Sequence, residues 1–183
     1  MIRERSFLRR GRQVQLRELT DWVARLPLHA ETPRAESKSA RPPSRRIATP
    51  IHPLDRAAPE VPLSEIRAFE DAGWTFVPRS SAEALDANSR RANVYIGSSG
   101  RMVLGANTLT VQFRNETSKT KADEFLKEYG CRVLEKMSFA PGLFRVALTE
   151  RAHGDALDIA EELHHSNAIE FAEPEFIERI GTR

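Results

Sequence analysis

The sequence predicts an α+β fold of the ferredoxin-like class, a four-stranded antiparallel sheet with two helices on one face. Three observations predict it. Residues 107–178 alternate between strand-like and helix-like segments in the order β-α-β-β-α-β. The strand-like segments alternate apolar and polar side chains, so each has one face suited to a core. Each helix-like segment is long enough to form the crossover that a pair of parallel strands requires.

Charge and composition divide the chain into a basic arm and a mildly acidic body. Residues 1–60 contain 13 Lys/Arg and 7 Asp/Glu, whereas residues 61–183 contain 15 Lys/Arg and 19 Asp/Glu. The chain of 183 residues is 40% hydrophobic and 30% charged, which is typical of one globular domain with appendages.

The arm is predicted to have two parts. Residues 1–26 are predicted to form a basic amphipathic helix, because their apolar residues recur at helical spacing from Val14 onward. This helix would pack on the body or on a partner, and contact of its arginines with a membrane surface or nucleic acid is the alternative. Residues 27–62 contain eight of the eleven prolines. They are predicted to be a disordered linker, since this composition buries too little apolar surface to offset the entropy of ordering.

Residues 63–106 are predicted to form an extension ahead of the ferredoxin-like unit. The stretch LSEIRAFEDAGW predicts a short helix. The stretch NVYIGSSGRMVLG predicts a β-hairpin whose two strands are joined by Ser98, Ser99 and Gly100.

The first half of the ferredoxin-like unit is a strand followed by a helix. In NTLTVQF, the apolar residues Leu109, Val111 and Phe113 are predicted to face the core. In SKTKADEFLKEYG, Ser118 is the predicted N-cap and Gly130 the predicted end of the helix.

The second half contains two strands, a helix and a last strand. CRVLEKMSF and LFRVALT are predicted strands joined by an Ala-Pro-Gly turn. Residues 152–155, AHGD, are interpreted as a segment that caps the following helix. AIEFAE is the predicted fourth strand, with Ile169 and Phe171 facing inward and Pro174 ending its pairing.

The chain contains no recognisable catalytic constellation, so we predict that it is not an enzyme and has no cofactor, metal or small-molecule ligand. Cys131 is the only cysteine and is interpreted as a small buried side chain, and the five histidines lack the spacing of a zinc site. The glycines of GSSGRMVLG lack the context of a phosphate-binding loop. An RNA-recognition domain is disfavoured, because PGLFRVALT has one aromatic residue and that residue is predicted to face the helices.

Membrane and export signals are not recognisable in the sequence. No apolar run approaches the ~18 residues that a membrane span needs. The basic N-terminus is not followed by the apolar segment of a secretory signal. The compartment is therefore open: cytoplasmic for the chain as it stands, and extracellular if a leader precedes it.

The segment from TLTVQF to FAEPEF resembles the N-terminal prodomains of subtilisin-like serine proteases, in particular the fervidolysin type. The resemblance is carried by the first strand ending at Phe113, by the helix end Lys-Glu-Tyr-Gly at 127–130, and by the block ALDIAEELHHSNAIEFAEPEF at 156–176. It covers roughly residues 107–178.

The resemblance implies a chaperone and inhibitor that acts on a protease in cis or in trans. The open face of the sheet would dock on surface helices of the protease, where acidic side chains can accept hydrogen bonds from helix N-termini. The candidate docking residues are Thr108, Thr110, Gln112, Arg145, Glu170, Glu173 and Glu175. A tail would enter the substrate cleft as an added strand. Its candidate residues are Ile177 and Glu178 together with the segment 179–183, which is Arg179, Ile180, Gly181, Thr182 and Arg183.

Other interpretations stay open at this point. The chain lacks the Asp, His and Ser motifs of the protease itself, so it could be a fragment, a released prodomain or a freestanding inhibitor. A freestanding protein–protein interaction module is the second hypothesis. Nucleic-acid binding through the basic N-terminal arm is the third, although nucleic acid is not the expected partner of a body that is net acidic.

Overall fold

A computed structural model describes residues 1–9, 11–27, 54, 61–82 and 89–178. Within these ranges, eight strands form one antiparallel sheet and four helices pack on it. The strands are β1 (Ile2–Arg9), β2 (Arg12–Pro27), β3 (Thr75–Pro78), β4 (Ser89–Gly97), β5 (Met102–Phe113), β6 (Cys131–Lys136), β7 (Leu143–Leu148) and β8 (Ile169–Ile177). The helices are α1 (Leu63–Asp71), α2 (Arg79–Ala82), α3 (Lys119–Glu128) and α4 (Ala156–His164).

The predicted four-stranded ferredoxin-like class is wrong. The four strands and two helices expected over residues 107–178 are present, but the strands do not form a sheet of their own. They belong to an eight-stranded sheet with the order β1-β2-β4-β5-β7-β6, in which β3 also pairs with β2 and β8 also pairs with β5.

The strand that joins the two parts of the sheet is β5. It begins at Met102, ahead of the predicted start at residue 107, and its first residues pair with β4 in the hairpin predicted around Ser98–Gly100. Its last residues pair with β7 along the same edge, and β8 pairs along the other edge. A boundary between an extension and a separate unit at residues 106/107 would therefore fall within a continuous strand.

Residues 1–26 form a β-hairpin, and the predicted amphipathic helix is wrong. β1 pairs with the first half of β2 in continuous antiparallel register. The second half of β2 pairs with β3 and β4, after an irregularity in the β2–β4 register between Glu18 and Val23. Because such an irregularity changes which side chains face the core, the apolar residues of β2 do not alternate strictly and they imitate helical spacing.

The predicted disordered linker, residues 27–62, lies largely outside the described residues. Of this range the structure describes Pro27, Leu54, Val61 and Pro62. Leu54 and Val61 are buried in the core beside α1, and Pro62 is the residue that precedes the first turn of α1.

Three groups of buried side chains hold the sheet and helices together. The first lies between α3 and α4 and one face of β5–β8, and it includes Leu109, Val111, Phe113, Leu126, Phe144, Val146, Ile159, Leu163 and Ile169. The second lies between α1 and the strands β2, β4 and β5, and it includes Leu19, Ile66, Phe69, Trp74, Val94, Ile96 and Leu104. The third lies where β2, β4 and α4 meet, and it is built on Leu16, Tyr95 and Leu157.

The ends of α3 are formed as the sequence predicts. Ser118 is the N-cap, and its hydroxyl oxygen accepts a hydrogen bond from the Lys121 amide at 3.3 Å. Gly130 follows the helix with φ of +68°, and a Cβ atom there would lie 2.4 Å from the backbone nitrogen of Ala152. Only glycine fits both the left-handed conformation and the close approach of the neighbouring chain.

Asp155 caps α4, which confirms the interpretation of residues 152–155 as a capping segment. Its carboxylate accepts hydrogen bonds from the amides of Leu157 at 2.8 Å and Asp158 at 3.0 Å. The Asp158 carboxylate in turn accepts from the Asp155 amide at 3.0 Å, which completes a capping box.

The same carboxylate connects α4 to the N-terminal part of the sheet. Asp155 accepts hydrogen bonds from the Arg5 guanidinium at 3.1 Å, the Asn93 amide at 3.1 Å and the Tyr95 hydroxyl at 3.0 Å. Arg5 also contacts Asp158 at 2.8 Å, and its side chain is only 7% exposed. A buried guanidinium therefore depends on two carboxylates of α4 for its charge balance.

A second ion pair extends this arrangement to β2 and α2. The Arg79 guanidinium donates to the side-chain oxygen of Asn93 at 3.1 Å and lies 3.5 Å from the carboxylate of Glu18. Glu18 is 5% exposed. Its burial raises its pKa, and the charge of Asp155 adds to this rise, while Arg5 and Arg79 oppose it.

We refer to these side chains together as the junction network, which comprises Arg5, Glu18, Arg79, Asn93, Tyr95, Asp155 and Asp158. It joins β1, β2, β4, α2 and α4. Parts of the chain that are far apart in sequence are thus held by polar contacts in addition to the apolar cores.

Replacing the central carboxylate should destabilise the whole domain. Asp155→Ala removes a helix cap and leaves the buried Arg5 with one carboxylate fewer, so we expect a loss of about 3 kcal/mol in the free energy of unfolding. Ser118→Ala is the matched control, because it removes only the cap of α3 and should cost about 1 kcal/mol. Urea denaturation measures both, and equal losses for the two variants would contradict the joining role of Asp155.

Candidate functional site

The candidate site is the face of strands β5–β8 that lies opposite α3 and α4, which we call the open face. Residues that pair directly across neighbouring antiparallel strands point to the same side of a sheet. The pairings of Thr108, Thr110 and Gln112 therefore define this face. Its described members on β5, β7 and β8 are Thr108, Thr110, Gln112, Leu143, Arg145, Ala147, Phe171, Glu173 and Glu175.

Among the described residues, no helix covers the open face. The helices that contact these strands, α3 and α4, place their buried side chains in the core with Leu109 and Val111, on the opposite side of the sheet. Most side chains of the open face are partly exposed. The sheet thus has one face packed on helices and one face accessible to solvent.

An ion pair between Arg145 and Glu175 lies at the centre of the open face. The Arg145 Nη2 atom lies 2.7 Å from Glu175 Oε2, and its Nε atom lies 2.9 Å from Glu175 Oε1. The Thr108 hydroxyl donates to Glu175 Oε2 at 2.7 Å, and the Thr110 hydroxyl lies 3.5 Å from Glu175 Oε1. A two-pronged guanidinium contact and two hydroxyls thus fix the carboxylate in one orientation.

The electrostatic effect of this arrangement is to hold Glu175 ionised. Burial by itself would raise the pKa of Glu175, but hydrogen bonds from Arg145 and Thr108 and the charge of Arg145 outweigh it, and the pKa is lowered. The hydrogen bonds that Arg145 makes to Glu175, together with the charge of Glu175, raise the pKa of Arg145.

Six of the seven predicted docking residues lie together on the open face, and Glu170 does not. The β5–β8 register is irregular between Gln112 and Phe113, so that Ile169 and Ala172 both face the core. Glu170 is exposed at this irregularity. The prediction that Phe171 faces inward is wrong, because the irregularity turns Phe171 to the open face, where it pairs with Gln112.

Glu175 differs in role from the sequence-based expectation. It was expected to accept hydrogen bonds from a partner, but Arg145 and the two threonines occupy both of its oxygens. Its function within the chain is to organise the open face. Glu170 is exposed near the start of the same strand, and its role as an acceptor stays a prediction.

The C-terminal tail begins later than the sequence predicts. β8 continues through Pro174, and Ile177 pairs with Leu104 and packs against the core beside α1. Glu178 lies 3.3 Å from the Arg9 guanidinium. Ile177 is therefore part of the sheet and not of a tail, and residues 179–183 lie outside the described residues.

Sequence reasoning missed the residues that the fold brings together over long separations. Arg5 and Tyr95 gave no signal of their own, because their partner Asp155 lies 150 and 60 positions away in the chain. Phe139 was assigned to a strand, but β6 ends at Lys136 and Phe139 lies in the following turn. The Ala-Pro-Gly sequence directly after it was the available signal for that turn.

Other kinds of site find no geometric support in the part of the chain that the structure describes. No group of three or more His, Cys, Asp and Glu side chains is placed to hold a metal ion there. Cys131 is buried, and burial together with the charge of Glu162 raises its pKa to about 11, so its thiol is protonated at neutral pH. No described helix is long and apolar enough to cross a membrane.

Comparisons with known proteins add no relative. No protein-family model matches the chain, and no curated protein or solved structure matches it significantly. The resemblance to subtilisin prodomains is therefore a hypothesis that stands on the sequence motifs alone.

The pKa of partly buried Glu175 is lowered and that of buried Glu18 is raised, so the two carboxylates predict opposite pH effects on stability. The lowered pKa of Glu175 means that its stabilisation is present above the unfolded value of 4.5 and is lost as the pH falls through the folded value. Glu175→Gln should therefore cost about 1 kcal/mol at neutral pH, and less in acid, because the partner Arg145 is partly exposed.

Glu18→Gln is the matched control for this experiment. The raised pKa of Glu18 makes the folded state lose stability as the pH rises from 4.5 towards the folded value. Glu18→Gln should remove this loss of stability at higher pH. It should leave the free energy of unfolding at acidic pH unchanged. Urea midpoints between pH 3 and 8 (roughly the range of these groups) measure both, and parallel profiles for the two variants would contradict the assignments.

Proposed function

We propose that this chain is a prodomain of a subtilisin-like serine protease, which assists the folding of the protease and inhibits it. The observation that carries the proposal is the open face: a pre-arranged polar sheet surface with no described helix over it. The sequence motifs at 127–130 and 156–176 supply the class of partner. The partner can be part of the same polypeptide or a separate chain.

The open face suits docking because its polar groups need little rearrangement. Arg145 and Glu175 are already paired, so a partner surface can cover them without leaving a buried charge uncompensated. Thr110 and Gln112 lie on the same face beside this pair. A rigid strand surface also loses less conformational entropy on binding than a loop does.

Inhibition requires a segment that occupies the substrate cleft. β8 ends at Ile177, and Glu178 is exposed at the end of the described chain. We assign this role to residues 179–183, which would add to an edge of the cleft as a strand through main-chain hydrogen bonds. Glu178, which contacts the Arg9 guanidinium at 3.3 Å, is the residue from which this segment would start.

The two alternative hypotheses differ in their support. A freestanding interaction module would use the same open face with another partner, and the geometry does not separate it from a prodomain. Nucleic-acid binding by the N-terminal arginines has less support, because Arg5 is buried against Asp155 and Asp158 and Arg9 contacts Glu178.

An inhibition assay tests the proposal. The full chain, added at micromolar concentration to a panel of subtilisin-like serine proteases, should slow the hydrolysis of a chromogenic peptide by at least one of them. Thr110→Arg places a long charged side chain at the centre of the open face and should weaken inhibition by about tenfold or more. The matched control is Thr120→Arg on the exposed side of α3, which should inhibit as the unchanged chain does. No inhibition of any protease in the panel would contradict the proposed function.

A truncation separates docking from occupation of the cleft. A chain that ends at Glu178 should still bind a protease whose catalytic serine has been replaced by alanine, because the open face is intact. It should no longer inhibit the active protease. Binding measured by calorimetry and turnover measured with the peptide substrate give the two results. Full inhibition by the shortened chain would contradict the role assigned to residues 179–183.

A further inference from the structure

A cavity of about 310 Å³ lies beside the junction network, between the N-terminal half of the sheet and the start of α4. Its lining comes from β2, α2, β4, β5 and α4, and it includes Val23, Arg79, Arg91, Asn93, Asn107 and Asp155. This volume lies at the lower end of the range of pockets that bind small molecules. The cavity therefore suits a small ligand, and its polar lining indicates which chemistry that ligand has.

The register of β2 and β4 directs the polar side chains of β4 to the cavity. Arg91 pairs with Arg25 of β2, and Asn93 pairs with Val23. Residues that lie opposite each other in antiparallel strands point to the same side of the sheet, as do residues two apart in one strand. Arg91 and Asn93 thus share one side, whereas Ala92 between them faces the core beside α1.

The carboxylates of this region act as internal counter-charges. Asp155 accepts hydrogen bonds on both oxygens, on Oδ1 from Arg5 and the first turn of α4, and on Oδ2 from Asn93 and Tyr95. Glu18 is buried at 3.5 Å from the Arg79 guanidinium. Because these acceptors are engaged by groups of the protein, the cations dominate what the cavity presents to a ligand.

Two guanidinium groups line the cavity, and one of them is held in place. Arg79 donates from Nε to the Thr20 carbonyl at 2.6 Å and from Nη2 to Asn93 Oδ1 at 3.1 Å, yet its side chain is 43% exposed. Arg91 is exposed and lies directly opposite Arg25. Like charges opposite each other on neighbouring strands repel, and an anion beside them would reduce that repulsion.

We propose that this cavity binds a small organic anion, whose carboxylate or phosphate group is held by the guanidinium groups of Arg79 and Arg91. A guanidinium binds either kind of oxyanion through two parallel hydrogen bonds. The side-chain amide of Asn107 donates to the same ligand, and Val23 provides an apolar wall for its carbon atoms.

This site differs from the sequence-based expectation that the chain has no small-molecule ligand. Residues 79, 91 and 107 lie on three different elements and come together only in the folded chain. Neither a protease nor the open face takes part in the site, so it is independent of the proposed function.

An NMR titration of the full isotope-labelled chain tests the site with two probes, inorganic phosphate and succinate. Each is added to roughly 10 mM at an ionic strength kept constant with sodium chloride, so that general screening of charges does not change. At least one probe should shift the side-chain amide signals of Asn93 and Asn107 in a saturable manner. A response to phosphate alone assigns a phosphate-bearing ligand, and a response to succinate alone assigns a carboxylate. No saturable shift with either probe would overturn the site.

Two variants locate the bound anion. Arg91→Gln removes one guanidinium and should weaken binding of the probe by about tenfold, which is the effect of losing a charge-assisted hydrogen bond. Asn107→Asp places a carboxylate in the cavity and should abolish the saturable shift by repelling the anion. The matched control is Arg90→Gln on the same strand, because Arg90 pairs with Leu26 and points to the other side of the sheet. It should change the affinity by less than about twofold.

The urea midpoints of all three variants should stay close to that of the unchanged chain, because residues 90, 91 and 107 are exposed. Equal weakening by Arg91→Gln and Arg90→Gln would mean that the anion responds only to net charge, and it would overturn the site. An unchanged affinity of Arg91→Gln would overturn it as well. Because no protease is present in these measurements, their outcome is separate from that of the inhibition assay.

Discussion

The carboxylate of Asp155 accepts hydrogen bonds from the first turn of α4, from Asn93 and Tyr95 on β4, and from Arg5 on β1. A helix cap normally satisfies only its own helix. Here the cap also neutralises a buried guanidinium, so the start of α4 and the N-terminal hairpin hold each other in place. The apolar side chains of Leu16, Tyr95 and Leu157 form a buried cluster beside this point. These contacts add to the pairing of β2 with β4, which also holds the hairpin beside the rest of the sheet.

Strand β5 belongs to both parts of the sheet, the part covered by α1 and the part covered by α3 and α4. Its first part pairs with β4, whose apolar face is covered by α1, and its last part pairs with β7, whose apolar face is covered by α3 and α4. The open face is what this arrangement leaves uncovered. On this surface the charges of Arg145 and Glu175 balance each other. That combination of rigidity and balanced charge is the physical basis of the proposed docking role.

The sequence predicts the local helices and strands of residues 107–178. It does not predict the features that depend on contacts between residues far apart in the chain. Ser118 and Gly130 mark a helix because capping and left-handed conformations are local properties. Glu18 and Arg5 resemble surface residues of an amphipathic helix until their partners on α2 and α4 are known. Pro174 was expected to end β8, but among the described strands β8 pairs with β5 alone, and an edge strand tolerates a residue that has no amide hydrogen. The open-face residues followed from alternation, whereas Phe139 depended on a turn geometry that alternation does not describe.

The central proposal is that the open face, and not the side covered by α3 and α4, would contact a subtilisin-like protease. Chemical-shift mapping by NMR tests it most directly: the isotope-labelled chain is titrated with a subtilisin-like protease whose catalytic serine has been replaced. The account predicts that the largest shifts lie at Thr108, Thr110, Gln112 and Arg145. Shifts concentrated on the exposed sides of α3 and α4, with the open face unchanged, would contradict it.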